Sequence, residues 1–272
     1  MPFDNFGVAE SGTHIVLVKG EVQIPIAAHR LVAEAASSLT HEERDLHVLY
    51  VGQGIGRSKK RSALERLLDH STLQRILADV NALHPSNEVL LLLYRFEHQK
   101  AFLSTGGDLR LDPRSTADEE LAHMHRMTST KMSRRSQVAL SEAALIRYFQ
   151  PYYNVKLKES RFATGNRIAV LREVLKNDMT GVIVEICSSS AGSRLRSESA
   201  VPRELSSLFD TEALTGSRLD SDDMRRAWRE QLHQMAHTHY AQFALTTPQE
   251  RDTFMHGTIW NGGNDRVDLF GS

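Results

Sequence analysis

The sequence lacks the features that mark secreted or membrane-embedded proteins. A single cysteine, Cys187, excludes an internal disulfide framework. No run approaches the ~18–20 apolar residues that a membrane-spanning helix requires, since the longest, Val89–Tyr94, has the length of a strand. The first residues show no basic stretch followed by an apolar one, so we expect no signal peptide. These absences favour a protein of the reducing cytoplasm that does not bind a membrane.

The sequence also lacks a large net charge. With 33 Lys and Arg against 34 Asp and Glu, the formal net charge is −1, which argues against a uniformly basic nucleic-acid-binding surface. The basic residues nevertheless cluster in three places, at Arg57, Lys59, Lys60, Arg61 and Arg66, at Arg126, Lys131, Arg134 and Arg135, and at Lys156, Lys158 and Arg161. Such segregation suits a phosphate-binding face, and solvated helix ends are the alternative for each cluster taken alone.

What is present is the composition of a globular protein, with 40% hydrophobic and 25% charged residues among 272. We expect a flexible N-terminus over 1–13 and a first domain over 14–158. The pattern of the first domain predicts a hairpin (His14–Val18 and Val22–Ala27), a helix (Ala28–Leu39), a strand (Asp45–Val51), a helix (Ser62–Val80), a strand (Glu88–Phe96), a polar insert (104–135) and a helix (Ser136–Phe149). Ser71 and Gln74 could form a capping box, so a break in the second helix at Ser71 stays open.

Residues 159–272 form a second, α/β region. Its pattern predicts an amphipathic helix (Asn166–Asn177), a buried strand (Gly181–Cys187), a turn-like stretch (Ser188–Ser199) and a long helix (Asp222–Phe243). Arg167, Arg172, Arg194 and Arg196 could extend a DNA-contacting surface. We expect this region to select a target or bind a partner, with a purely stabilising cap as the alternative.

The helix that ends at Phe149 carries an acid where an apolar residue is expected. Val138, Leu145 and Phe149 fall on one stripe, and Glu142 lies in that same stripe. A carboxylate facing a core costs several kcal/mol unless it is compensated, and a metal ion is one compensation. Because Gln150 precedes a proline, the helix should stop there, which places the amide of Asn154 on the exit loop.

Two further motifs lie upstream. His47–Gly52 indicates a short buried strand that ends in Tyr-Val-Gly, with the tyrosine at Tyr50. The next predicted helix places Arg66 and His70 on one face by their i, i+4 spacing. Taken alone, Tyr50 is better explained as a core tyrosine, and Arg66 and His70 as part of a solvated helix face.

In this order, Tyr-Val-Gly, Arg-x-x-x-His, and a glutamate helix followed by Pro-x-aromatic-Asn resemble the motifs of the GIY-YIG nuclease superfamily. The resemblance is closest to GIY-YIG restriction endonucleases and excision-repair incision subunits. It implies an α+β fold, with a small mixed or antiparallel sheet flanked by helices, and an endonuclease that hydrolyses DNA phosphodiester bonds. It further implies a catalytic set of Tyr50, Arg66, His70, Glu142 and Asn154, with Glu142 binding Mg²⁺ or Mn²⁺.

The same resemblance implies that the neighbouring basic side chains contact DNA, namely Lys59, Lys60, Arg61, Lys131, Arg134, Arg135, Lys156 and Lys158. Tyr50 would orient or deprotonate the attacking water, with help from the positive charge of Arg66 or from a metal-bound hydroxide. Arg66 and His70 would act on the phosphate or relay a proton, and Asn154 would fix the exit loop. A role in restriction or phage defence is the expectation, and a homodimer and a protein partner of residues 159–272 are left open.

One departure from the superfamily is a missing first tyrosine. All six tyrosines lie at Tyr50 or later, so only another residue type, for example His14 or His29, could fill the earlier position. The departure keeps an alternative open, a catalytically weak GIY-YIG fold that binds DNA or protein.

Two other constellations are weaker. His233, His237 and His239 lack the glutamate of a zinc-protease motif, and the Gly52-x-Gly54-x-Gly56 run lacks the remaining signatures of a nucleotide-binding loop. Ordinary helix histidines and a turn are therefore the better interpretations.

Overall fold

The computed structural model describes residues 3–10, 12–34, 39–53, 70–97, 116–129, 131–157, 170, 172–176, 179, 181–203 and 221–245. These residues form small sheets and several helices, which agrees with an α+β protein in general. They divide into two compact units. The first consists of Met1–Leu49, Lys60–Leu93 and Ile186–His239, and the second of Tyr50–Lys59, Tyr94–Glu185 and Tyr240–Ser272. Both units therefore combine residues from before and after residue 158.

The N-terminal strands form an antiparallel three-stranded sheet. Strands β1 (Asn5–Val8), β2 (His14–Lys19) and β3 (Val22–Ala27) lie in that order, and Gly20 turns between β2 and β3 at a φ of +59°. The predicted hairpin is confirmed. Strand β1 lies within the predicted flexible N-terminus, and it is tied down because the Asp4 carboxylate accepts a hydrogen bond from the Gly20 N–H at 2.6 Å.

Helices α1 (Ala28–Glu34) and α2 (His41–Arg44) follow the hairpin. Thr40 and Glu43 form a capping box at the start of α2, where the Thr40 N–H donates to Glu43 at 2.7 Å. A second capping box joins Thr116 and Glu119 before helix α4 (Ala117–Ser129). This threonine–glutamate spacing is a sequence signal for the start of a helix.

The strand predicted over Asp45–Val51 is shorter in the structure. Only β4 (Leu46–His47) is a strand, and it pairs in parallel with β6 (Leu195–Arg196) rather than with the hairpin. Backbone bonds extend the pairing to Val48, whose N–H donates to the Arg196 carbonyl at 2.9 Å. The partner lies far along the chain, so a local pattern gives no sign of it.

The strand predicted over Glu88–Phe96 is wrong. Residues 88–97 have no regular secondary structure, and no described strand pairs with them. Leu91 and Leu93 are 44% and 61% exposed. A strand needs a neighbouring strand for its backbone hydrogen bonds, and an apolar run alone does not supply one.

Helix α3 (Ser71–Leu83) begins at the break that the sequence left open and buries Leu73 and Ile76. Helix α5 (Arg134–Phe149) starts after the N-cap Ser133 and ends where expected, at Phe149. Gln150 closes it in the left-handed conformation, with φ +47° and its N–H donating to the Ile146 carbonyl. The buried Pro151 then prevents continuation, and the short helix α6 (Tyr152–Leu157) follows.

The remaining elements come from the part of the chain after residue 158. Residues 170 and 172–176 are helical (α7), and β5 (Gly181–Cys187) forms a two-stranded sheet with β7 (Thr238–Ala244). The predicted strand over 181–187 is confirmed, although Ile183 is 46% exposed and only one face is buried. A core cluster of the second unit contains Leu140, Ala143, Val174 and Leu245.

The long helix predicted over Asp222–Phe243 is wrong in its second half. Helix α8 (Asp222–Ala236) ends seven residues earlier, and Thr238–Ala244 is strand β7. Its buried positions alternate at His239 and Ala241 and continue at Ala244. The period of two, together with β-branched and aromatic residues, is typical of a strand rather than a helix.

Candidate active site

The ring of Tyr50 packs against Gly52 in the segment that follows strand β4. The ring of Tyr50 lies over the Cα of Gly52, so that a Cβ added there would stand 2.6 Å from Tyr50 Cε1 and 2.8 Å from its hydroxyl oxygen. Cβ atoms essentially never make contacts under 3.0 Å. Any larger residue in place of this glycine would therefore have to displace the Tyr50 ring.

Asn154 holds the residue between them. Its Oδ1 accepts a hydrogen bond from the Val51 N–H at 2.7 Å, and its Nδ2 donates to the Val51 carbonyl at 2.8 Å. Asn154 is 7% exposed and lies on helix α6, not on an exit loop as expected from the sequence. The carboxamide thus satisfies the backbone N–H and C=O of Val51, as a neighbouring strand would.

Glu142 lies close to Tyr50 from the side of helix α5. The residue is half-buried, as the sequence predicts for an acid within an apolar stripe. Burial raises the pKa of the Tyr50 phenol above its ordinary value of 10.0, and the negative charge of Glu142 raises it further. The positive charge expected beside Tyr50 was assigned to Arg66, which lies outside the described residues, so that expectation stays a prediction.

Three of the five predicted catalytic residues, Tyr50, Glu142 and Asn154, are therefore brought together within one compact unit. Arg66 lies outside the described residues. His70 belongs to the other unit and is the N-cap of α3, with an extended backbone at φ −85° and ψ 116°. His70 itself is therefore not within a helix, and its predicted relation to Arg66 involves a residue outside the described ones.

The predicted DNA-binding residues divide in the same way. Lys131, Arg134 and Arg135 are exposed at the start of α5. Lys156 lies on α6, and nothing is described of its side chain. The others, Lys59, Lys60, Arg61 and Lys158, lie outside the described residues.

The donor atoms around Tyr50 fit one kind of metal site. Among the described residues, no group of three or more His, Cys, Asp or Glu could hold a metal ion. Glu142 offers a single half-buried carboxylate, and the Asn154 carboxamide is used by Val51. Mg²⁺ commonly binds proteins through one or two carboxylates, with waters and substrate phosphates as its other ligands, so Glu142 fits this mode. A closed site of protein ligands, as zinc prefers, does not fit.

Neither histidine considered for the missing tyrosine lies in the compact unit that contains Tyr50. The His14 ring contacts the Thr13 hydroxyl at 2.9 Å, and the His29 ring contacts Glu88 at 3.1 Å. His237 and His239 are buried in the first unit, where burial lowers the pKa of each ring. They contact backbone carbonyls of His233 and Leu195 at 2.7 Å.

One buried ion pair of the first unit has no signal in the sequence. Arg194, considered as a DNA contact, donates to Asp45 from Nε at 2.9 Å and from Nη2 at 3.1 Å. Both side chains are buried, at 9% and 4% exposure. A bidentate pair of this kind commits the guanidinium to the interior, so Arg194 is unsuited to bind DNA.

Within the described residues, no helix is both long and apolar enough to cross a membrane. Comparison with known proteins adds no assignment: no family model matches this chain, and no curated protein or solved structure matches it either.

Proposed function

We propose that this chain is a GIY-YIG-type endonuclease that hydrolyses DNA phosphodiester bonds with one divalent cation. The observation that carries the proposal is the convergence of Tyr50, Glu142 and Asn154, although Tyr50 and Asn154 lie 104 positions apart in the chain. The charge of Glu142 acts on the Tyr50 phenol, and Asn154 binds the backbone of Val51, the residue next to Tyr50. The Tyr-Val-Gly motif is thus joined to the motif that contains Glu142 and Asn154, although the two lie far apart in the sequence.

In this proposal Glu142 holds Mg²⁺ or Mn²⁺. When bound, such an ion supplies Lewis-acid polarisation of the scissile phosphate and stabilises the leaving oxygen. Glu142 is half-buried on helix α5, within the same compact unit as Tyr50.

Tyr50 acts as a neutral phenol. Because its pKa is raised, it is poorly suited to remove a proton and well suited to orient the attacking water by a hydrogen bond. Arg66 would neutralise charge on the phosphate, and His70 would bind a non-bridging oxygen or relay a proton. Asn154 and Gly52 act through position, since one fixes the Val51 backbone and the other admits the Tyr50 ring.

The biological setting that we propose is restriction or phage defence in the cytoplasm. DNA is the substrate, contacted by the basic residues around the site. Residues 159–272 would select the target or bind a protein partner, and a homodimer is compatible with either role.

A second candidate is a catalytically weak GIY-YIG fold that binds DNA or protein. Two observations favour it. The negative charge of Glu142 raises the pKa of the Tyr50 phenol, and no tyrosine precedes Tyr50 in the chain. Both reduce the number of groups that could activate water.

A cleavage assay separates the two candidates. The wild-type protein and Glu142→Ala would be incubated with supercoiled plasmid and with single-stranded DNA, in Mg²⁺, in Mn²⁺ and in EDTA. Metal-dependent cutting by the wild type alone supports the endonuclease. DNA binding by both proteins without any cutting supports the binding module and contradicts the proposed activity.

A further inference from the structure

Three exposed cations stand at the start of the helix that carries Glu142. Lys131 precedes α5, and Arg134 and Arg135 occupy its first turn. In the part of the chain that the structure describes, no carboxylate pairs with any of the three. Positive side chains in a first helical turn are unfavourable to the helix, at about 0.3–1 kcal/mol each. Helix stability therefore does not account for them.

The chain that carries these cations is held firmly. The Ser133 hydroxyl caps the Ser136 N–H at 3.1 Å, and the Gln137 side chain donates to the Met132 carbonyl at 2.9 Å. The buried Ser136 hydroxyl donates to Glu173 at 2.7 Å, and Met132 packs against the core cluster of the second unit. The backbone that carries the cations is thus fixed relative to the rest of α5, which favours a binding role that needs position.

Spacing distinguishes Arg135 from its neighbour. Arg135 and Glu142 are seven positions apart, which is close to two helical turns, so the two side chains leave the helix within about 20° of each other. Viewed along the helix axis, the side chain of Arg134 leaves the helix about 80° away from that of Glu142. The rise between Arg135 and Glu142 is about 10 Å. Half-buried Val138 and Ala139 lie between them on the same side.

We propose that Arg135 binds a backbone phosphate of the DNA strand that is cut, and thereby sets which bond lies at Glu142. The inference rests on the proposed endonuclease. One strand of a duplex advances about 3.4 Å per phosphate along the axis, so a 10 Å separation places this phosphate within about three nucleotides of the cut. Arg135 is a positioning residue, whereas Arg134 and Lys131 contribute general attraction to the backbone.

The test removes single charges from both partners. Each phosphate of a bound oligonucleotide duplex would be replaced in turn by an uncharged methylphosphonate. Affinity would be measured by fluorescence anisotropy for the Glu142→Gln protein, which keeps the DNA uncut, alone and combined with Arg135→Ala or Arg134→Ala. The position of the cut would be mapped separately with wild-type protein.

We expect one methylphosphonate to weaken binding about tenfold when Arg135 is present and less than about twofold when it is replaced, as for a lost charge-assisted hydrogen bond. Arg134→Ala should lower the overall affinity and the salt dependence without coupling to that phosphate. Equal coupling by both arginines, or coupling at no phosphate, would overturn the inference. Binding with Arg135 coupling but no wild-type cutting would leave Arg135 as a phosphate ligand and remove only the proposed activity. Absence of any DNA binding would overturn both.

Discussion

Asn154 makes two hydrogen bonds to the backbone of Val51: its carboxamide accepts one from the N–H at 2.7 Å and donates one to the carbonyl at 2.8 Å. The two residues are 103 positions apart in the chain. Val51 stands between Tyr50 and Gly52, so the asparagine fixes the backbone from which the tyrosine ring rises. This relationship makes the amide a structural determinant of the site rather than a phosphate ligand.

Asn154→Asp should therefore be destabilising although it hardly changes the shape of the side chain. The variant loses the donor to Val51 and can place a carboxylate oxygen against a carbonyl oxygen. We expect a loss of about 1–3 kcal/mol in the free energy of unfolding, measured by urea denaturation. Asn81→Asp, at an exposed position of α3, is the control and should change stability by less than about 0.5 kcal/mol. Equal effects at the two positions would contradict the role of Asn154.

Gly52→Ala should displace the Tyr50 ring. The new Cβ would meet ring atoms at 2.6–2.9 Å, and we expect a cost of about 1–3 kcal/mol in stability, as for overpacking. Gly7→Ala is the matched control, since a Cβ there has nothing within 4 Å. In a Tyr50→Ala background the cost of Gly52→Ala should largely disappear. Additive costs in this double-mutant cycle would show that the two residues do not interact as described.

Asp45→Asn should leave the Arg194 guanidinium buried beside a neutral side chain. Breaking such a buried pair costs about 3–5 kcal/mol, which urea denaturation would detect. The exposed pair of Arg225 and Asp222, with side chains 57% and 93% exposed, is the control, and Asp222→Asn should cost less than about 1 kcal/mol. Similar losses for the two pairs would refute the buried role of Arg194.

The burial of His239 predicts a pH dependence of stability. Burial lowers its pKa below the ordinary value of 6.5. Near pH 6.5 the unfolded chain therefore binds a proton that the folded chain does not, and the free energy of unfolding falls as the pH drops from there toward the lower folded pKa. His239→Gln should reduce this slope between pH 7 and about pH 5, whereas His125→Gln, at an exposed position, should not. An unchanged slope in His239→Gln would contradict the prediction.

Local patterns predicted the features that local chemistry decides. The hairpin at Gly20, the end of α5 before Pro151 and strand β5 follow from turn residues, proline geometry and apolar runs. The half-buried state of Glu142 followed from its place in an apolar stripe.

Long-range pairings were not predictable from the same patterns. The partner of β4 lies in residues 195–196, and the Asp45–Arg194 pair joins the same two stretches. Nothing local distinguishes Arg194 from a surface arginine. The alternation within Thr238–Ala244 follows directly on the amphipathic helix α8, so the helical period of the sequence extends into the strand and hides the boundary.

The most direct test of the account compares two glutamine substitutions in single-turnover DNA cleavage at saturating enzyme. Glu142→Gln keeps the shape of the proposed metal ligand and removes its charge, and Glu185→Gln does the same at an exposed position of β5. We predict that Glu142→Gln lowers the Mg²⁺-dependent rate at least about a hundredfold while its melting temperature and DNA affinity stay close to wild type, and that Glu185→Gln cuts normally. Undiminished cutting by Glu142→Gln would contradict the account.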